Sequence, residues 1–206
     1  MADPSEALDP DTARHIDAAL QRLTNSGDVD ASLQQVLDTV LGFMRADMGT
    51  LQRLDDGADC LSIVASRGFS REVLSYFGVV RRDTNTTCAA AFTRRMRVFV
   101  ENISTSYLFV GTPELDILRA GGVAAAHSTP LINSSGRLWG VVTTHFREPQ
   151  IESNFDLTPL DRFTVQVADI LERREVLMSH SHLMASRFQR ARDQEPDDSG
   201  NTDADK

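Results

Sequence analysis

The chain has 206 residues, of which 41% are hydrophobic, and its formal net charge of −9 comes from its ends, because residues 12–192 carry 20 acidic and 20 basic residues. A neutral body argues against a nucleic-acid-binding protein and against a polybasic membrane-surface protein. The only lysine is Lys206, which excludes mechanisms that need an internal lysine, such as a Walker-type phosphate loop or a Schiff base.

Composition along the chain predicts one folded domain with polar ends. Residues 1–11 are predicted to be a disordered tail, and residues 12–176 one domain that includes its N-terminal helix. Residues 177–192 are predicted to be a helical extension for dimerisation and signalling, and residues 193–206 an acidic disordered tail. With two cysteines in the chain, no signal peptide and no apolar run of about 18 residues, we expect a cytoplasmic protein with reduced thiols.

The first half of the chain is predicted to pass from helices to strands. Apolar residues at spacings of three and four predict a helix from Thr12 to about Asn25 and a second one from about Asp30 to Met44. The period then changes to two. Met48–Leu54 and Cys60–Ser66 are predicted to be paired strands around an Asp-Asp-Gly turn.

The middle of the chain is predicted to alternate short elements. Ser70–Phe77 is typical of a short helix capped by Ser70, residues 78–87 of a loop, and Cys88–Arg94 of another short helix. Arg97–Ile103 is predicted to be a strand. Thr112 and Pro113 are predicted to start a helix that ends at the Gly121-Gly122 pair.

A hairpin and a long helix are predicted to complete the domain. Val123–Ile132 and Arg137–Phe146 are β-rich runs around an Asn-Ser-Ser-Gly turn. A helix from Thr158 carries apolar residues at alternating steps of three and four, and it would be roughly 50 Å long. Because a domain of this size cannot cover such a helix, we expect a second copy to pack against it. Adjacent strands favour an α+β fold with an antiparallel sheet.

Around the hairpin, the sequence resembles the GAF domain family. The resemblance rests on Leu118–Val123 (LRAGGV), His127–Leu131 (HSTPL) and Gly136–Phe146 (GRLWGVVTTHF), and it extends over about residues 28–175. It is greatest to GAF domains of bacterial sensor histidine kinases and phytochrome-related sensors. It implies an antiparallel sheet of five or six strands, helices on both faces, a ligand pocket on one side and a final helix that connects to an output.

Three known ligand types of GAF domains can be compared with this chain. Phytochrome-type domains attach a bilin through a Cys-His pair, and those positions fall on Pro113 and Glu114, so a covalent bilin there is not expected. The cyclic-nucleotide signature needs a lysine that the chain lacks before Lys206. GAF-type methionine sulfoxide reductases use one cysteine near Cys88 and others in a loop that here, at residues 104–122, has none.

Candidate ligand-binding residues lie on the hairpin and at the start of the helix after the loop. The turn predicts that Thr129 lies opposite Thr143 and His127 opposite His145, which would place two Thr and two His on one sheet face. His145 also matches a pocket histidine of the phytochrome-related sensors. Cys88 follows Thr86 and Thr87 near a helix start, where the helix dipole lowers a thiol pKa. The predicted site is therefore His127, Thr129, Thr143, His145 and Cys88.

Simpler interpretations of these residues stay open. The two histidines suit a solvated or capped sheet end, and without a third ligand they do not predict a metal site. Cys88 suits a small buried residue. Seven arginines between Arg67 and Arg97 indicate either an anion pocket or exposed ion pairs.

The functional hypothesis is a non-enzymatic sensory or regulatory protein. It would bind a small molecule or a partner beside the hairpin, form a homodimer through its helices, and act on a separate output protein such as a histidine kinase or a regulator. The ligand is not identified by the sequence. The alternatives are a redox enzyme or thiol sensor that uses Cys88, and a GAF scaffold that has no ligand.

Overall fold

The computed structural model describes the backbone of residues 8–193 and the side chains of residues 8–178. Residues 1–7 of the predicted tail 1–11, and residues 194–206 of the predicted tail 193–206, lie outside the described residues. Helix α1 (Pro10–Asn25) begins two residues before the predicted start. The reason is an N-cap at Asp9, whose carboxylate accepts hydrogen bonds from the backbone N–H groups of Asp11 and Thr12. Pro10 occupies the first helical position, which needs no N–H donor.

Helix α2 (Val29–Met44) is capped by Asp28, whose side chain accepts a hydrogen bond from the N–H of Ala31. Its predicted apolar face is buried. The helix lies so close to the sheet that a Cβ on Gly49 would overlap the Leu41 side chain. A glycine in the first strand therefore lets α2 approach this face of the sheet.

Six strands form one antiparallel sheet in the order β3-β2-β1-β6-β5-β4, which confirms the predicted fold class. The strands are β1 (Met48–Asp55), β2 (Cys60–Arg67), β3 (Val79–Arg81), β4 (Val98–Val100), β5 (Ala125–Ile132) and β6 (Leu138–Phe146). β3 lies in the predicted loop 78–87, and β4 is shorter than predicted. Both are three-residue edge strands, too short for a periodic signal.

The other helices complete the two helical layers. They are α3 (Arg71–Tyr76), α4 (Thr87–Arg94), α5 (Pro113–Ala120) and α6 (Thr158–Asp193), and a short 3-10 turn covers Glu152–Asn154. Residues 8–170 belong to one compact unit, and the part of α6 after Ile170 forms a second, helical unit. Among the described residues, no helix is long and apolar enough to cross a membrane.

The register of the β5–β6 hairpin differs by one residue from the predicted register. His127 lies opposite Thr144, and Thr129 lies opposite Val142. Asn133 closes the turn: its N–H donates to the carbonyl of Arg137, and its side-chain oxygen accepts from the Arg137 N–H. The ladder then shifts within β6, where Leu138 pairs with Ile132 but Gly140 pairs with Leu131.

Trp139 is the extra residue of this β-bulge, and the bulge decides which side chains share a face. A shift of one residue moves each side chain to the opposite face of a sheet. Thr143 and His145 consequently lie on one face, together with Ala126 and Ser128. His127 and Thr129 lie on the opposite face, so the predicted ladder of two Thr and two His on one face is wrong.

Candidate functional site

A small cavity lies between the sheet and the helical layer formed by α3, α4 and α5. Its volume, measured as the space open to the centre of a water-sized sphere, is about 30 Å³. The sheet contributes Thr50, Gln52, Ile63, Ala126, Thr143 and His145. The opposite wall includes Phe69, Val73, Phe77, Cys88, Phe109 and Leu118. Three of the five predicted site residues therefore line one cavity, namely Cys88, Thr143 and His145.

The floor of the cavity is a row of hydroxyl groups that crosses three strands. Thr50 of β1 lies opposite Thr143 of β6, and Thr143 lies opposite Ser128 of β5. The hydroxyl oxygens of Ser128 and Thr143 are 2.8 Å apart and form a buried hydrogen bond. The row is polar, but this bond already satisfies part of its hydrogen-bonding capacity.

Gln52 lies on β1, two residues from Thr50 on the same face of the sheet. It is only 1% exposed. Its Oε1 atom has no hydrogen-bond partner among the described residues. Since a buried polar atom without a partner costs about 1–3 kcal/mol, this oxygen indicates a place where a bound molecule would donate a hydrogen bond.

His145 lies on β6 two residues beyond Thr143, on the side of the hydroxyl row away from Gln52. Its side chain is 8% exposed, and its ring meets the ring of Phe69 edge to face with centroids 4.9 Å apart. Burial lowers the pKa of His145 from 6.5 to about 3, so the ring is neutral at physiological pH. Its Nδ1 has no partner within the described part of the chain, which makes it a second atom that a ligand would satisfy.

Cys88 lies at the N-terminal end of α4, where the sequence suggested a lowered thiol pKa. The structure gives the opposite direction, because burial raises the pKa of Cys88, and hydrogen bonding with neighbours such as Thr86 and Gln52 offsets only part of that effect. The thiol donates a hydrogen bond to Oγ1 of Thr86 at 3.2 Å. Desolvation outweighs the helix dipole here because the side chain is enclosed on all sides.

His127 and Thr129 do not reach this cavity. His127 lies on the face of the sheet opposite the cavity. The centroid of its ring is 5.1 Å from that of Phe99, and the ring belongs to an aromatic cluster with Phe146 and Phe155. Burial and the nearby Arg97 lower its pKa from 6.5 to about 3. His127 is therefore a buried packing residue, which fits a capped sheet end and not a solvated one.

The arginines between Arg67 and Arg97 do not converge on an anion site. Arg67 pairs with Asp38 at 2.5 Å, and Arg82 pairs with Asp59 at 2.9 Å. Arg97 pairs with Asp161 of α6, and Arg95 donates to the carbonyl of Gly136. These contacts lie at separate places around the domain, which agrees with the interpretation as surface ion pairs.

Gln52 and Thr50 are pocket residues that the sequence analysis did not select. The alternation of β1 places Met48, Thr50 and Gln52 on one face. Two polar residues, Thr50 and Gln52, on the same face of this strand were the sequence signal that could have identified them as pocket residues. No group of three or more His, Cys, Asp or Glu among the described residues is arranged to hold a metal ion. The chemistry that the site offers is hydrogen bonding within an apolar enclosure.

Comparison with known proteins identifies the fold and the family. The family model of the GAF domain matches residues 26–172. The GAF domain of an Acinetobacter phosphoenolpyruvate-protein phosphotransferase is 16% identical with a TM-score of 0.64, covering 84% of this chain and 99% of that one. A comparison with curated proteins found no match.

Two further solved structures show the same fold. A domain assigned to a two-component sensor histidine kinase of Sinorhizobium meliloti is 20% identical with a TM-score of 0.59, covering 76% of this chain and 99% of that one. The phycoerythrobilin-bound GAF domain of a cyanobacterial phytochrome is 16% identical with a TM-score of 0.61, covering 84% of this chain and all of that one. At these identities the similarity establishes the fold alone.

Proposed function

Because the chain belongs to the GAF domain family, we propose that it is a non-enzymatic sensory or regulatory protein that binds a small molecule in the cavity above β1 and β6. One observation carries this proposal: within the described residues, Oε1 of Gln52 and Nδ1 of His145 both lack hydrogen-bond partners, and both belong to residues that line the cavity. Native proteins pair nearly all buried polar atoms. Two such atoms at one cavity therefore support a bound molecule.

The cysteine at the cavity supports ligand binding more than thiol catalysis. Burial raises the pKa of Cys88, and the thiolate is the reactive form of cysteine. The other described thiol, Cys60, is buried and free. Its neighbour Leu61 packs with Cys88, so the alternation of β2 directs Cys60 to the opposite face of the sheet from Leu61. Two free thiols agree with a cytoplasmic location.

We infer that the protein signals as a homodimer through helix packing. The 36-residue α6 supports this because apolar residues recur along it at alternating steps of three and four, interrupted by Arg174 and Ser181. A change in how two copies of α6 pack would carry the signal to a separate output protein, such as a histidine kinase or a regulator. Sedimentation of the full chain and of a chain ending at Val176 tests this step, and a monomer in both cases would contradict it.

Native mass spectrometry of the protein purified from its host tests ligand binding directly. We expect an added mass that is lost on denaturation, and a dimer mass for the complex. A matched sample of the His145→Leu variant should carry less of the added mass, whereas a His15→Gln variant, altered on the exposed surface of α1, should carry the same amount. If the unaltered protein and the His15→Gln variant both carry no bound molecule, and host metabolite extract does not raise the melting temperature of the unaltered protein, the domain is a scaffold without a ligand.

A further inference from the structure

We propose that the cavity accepts an uncharged hydrogen-bonding molecule, of the chemical class of amides, ureas and alcohols, and that it rejects anions and cations. This inference rests on the proposed function, because it specifies the ligand of the same cavity. Three features of the cavity support it: the described residues of its wall carry no formal charge, two polar atoms in the wall lack partners among the described residues, and the space is small.

The wall of the cavity carries no formal charge. Among the described residues that line it, none is Asp, Glu, Lys or Arg. The one titratable base, His145, is held neutral by burial, which lowers its pKa to about 3. The one titratable acid, Cys88, is held neutral because burial raises its pKa. An ion placed there would lose its hydration without gaining a counter-charge, which is costly in a protein interior.

The polar atoms in the wall suit a neutral ligand that both donates and accepts hydrogen bonds. Oε1 of Gln52 can only accept, so it calls for an N–H or O–H group on the ligand. Nδ1 of the neutral His145 ring either donates or accepts, according to the tautomer. Gln52 and His145 lie on opposite sides of the hydroxyl row, because Gln52 follows Thr50 along β1 and pairs with Val141, whereas His145 follows Thr143 along β6 and pairs with Met48.

The space limits the size of the molecule. A volume of about 30 Å³ is enough for about two water-sized groups. Apart from threonine hydroxyls and the Cys88 thiol, the rest of the described lining is apolar, with residues such as Phe69, Val73 and Phe109. A ligand of a few heavy atoms, with one or two hydrogen-bonding groups, therefore fits the cavity as it stands.

Three probes of nearly equal size and shape test the charge class. Acetamide is uncharged, acetate is its anionic counterpart, and acetamidinium is its cationic counterpart at pH 7.5. Each is titrated into the isotope-labelled full chain, and the NMR shifts of cavity residues such as Thr50, Ala126 and Thr143 are followed. We expect acetamide to bind at these residues with a dissociation constant at least about tenfold lower than those of the two ions.

Substitutions of Gln52 test the role of its oxygen. Gln52→Met keeps the length of the side chain and removes the oxygen, so acetamide affinity should fall by about three- to tenfold. Gln52→Glu places an acid in the wall, so acetamidinium should become the better ligand. Gln166 is exposed on α6, and Gln166→Met and Gln166→Glu are the matched controls that should leave all three affinities unchanged.

The outcomes separate this inference from the proposed function. If acetate or acetamidinium binds the cavity of the unaltered chain as tightly as acetamide does, the inference is wrong and the cavity is a site for ions. If no probe shifts the cavity residues, the inference is also wrong. In both cases a molecule found by native mass spectrometry would leave the proposed ligand-binding function standing.

Discussion

Ser128 and Thr143 face each other across β5 and β6, and their hydroxyl oxygens are 2.8 Å apart in a buried hydrogen bond. Each is at most 1% exposed, so this bond joins the two arms of the hairpin directly beneath the cavity. Its position follows from the register set by the bulge at Trp139.

Removing one of these hydroxyls should destabilise the domain. Thr143→Val keeps the shape of the side chain and leaves the Ser128 hydroxyl without its partner, so we expect a loss of about 1 kcal/mol in the free energy of unfolding. Urea denaturation measures this. Adding Ser128→Ala should restore part of the loss, because both polar partners are then absent. Thr93→Val, on the exposed surface of α4, is the control and should change little.

The two buried histidines should make stability depend on pH between about 3 and 6.5. Burial lowers the pKa of His127 and of His145 to about 3, whereas both titrate near 6.5 in the unfolded chain. The unfolded chain therefore binds more protons in this window, and stability falls as the pH is lowered through it. At pH 5 the expected loss is about 2 kcal/mol per histidine, and above pH 7 these groups contribute no slope.

Urea midpoints at pH 5, 6, 7 and 8 check this dependence. His145→Leu should remove about half of the loss between pH 7 and pH 5, and His15→Gln on the exposed surface of α1 should retain all of it. An equal slope in the His145→Leu variant and the unaltered chain would show that His145 is not held neutral by burial.

Two glycines should respond in opposite directions to alanine. A Cβ on Gly140 would overlap the carbonyl oxygen of Gln52, and backbone cannot move aside as a flexible side chain can. Gly140→Ala should therefore cost about 1–3 kcal/mol or more. Gly42 in α2 has no atom within 4 Å of an added Cβ, so Gly42→Ala should stabilise the protein by about 0.5–1 kcal/mol. Thermal unfolding of both variants tests the contrast.

The thiol of Cys88 should react slowly in the folded protein. Its pKa is raised by burial, and the thiolate is required for attack on disulfide reagents. We expect little modification by a thiol reagent at pH 7.5, and full reaction of both cysteines in urea. Cys60→Ser provides a chain in which the signal reports on Cys88 alone. Rapid labelling of that folded variant would support the alternative hypothesis of a thiol sensor.

The sequence predicted the layout of the fold because most elements carry strong local signals. The helix starts at Ser70 and Pro113, helix α2 and the two hairpins all lie close to their predicted bounds. The short edge strands β3 and β4 depend on pairing with β2 and β5 rather than on their own pattern. Such pairing is a tertiary interaction that a local reading does not contain.

The candidate site was only partly predictable, for a specific physical reason. Cys88, Thr143 and His145 do line one cavity, whereas His127 and Thr129 were assigned to the wrong face by a register error of one residue. The bulge at Trp139 carries no distinctive residue pattern, so the sequence alone did not reveal it. Gln52 was missed because its importance lies in an unpartnered oxygen, which appears only when its surroundings are known.

The bulge at Trp139 divides two histidines of one hairpin between separate compartments of the domain. His145 faces the cavity, and His127 packs in the aromatic cluster on the side of α2 and α6. A substitution at position 145 therefore alters the wall of the cavity while the aromatic cluster keeps its packing. The proposed ligand site and the packing on the opposite face of the sheet are accordingly separate targets for mutation in this protein, although both are built from the same two strands.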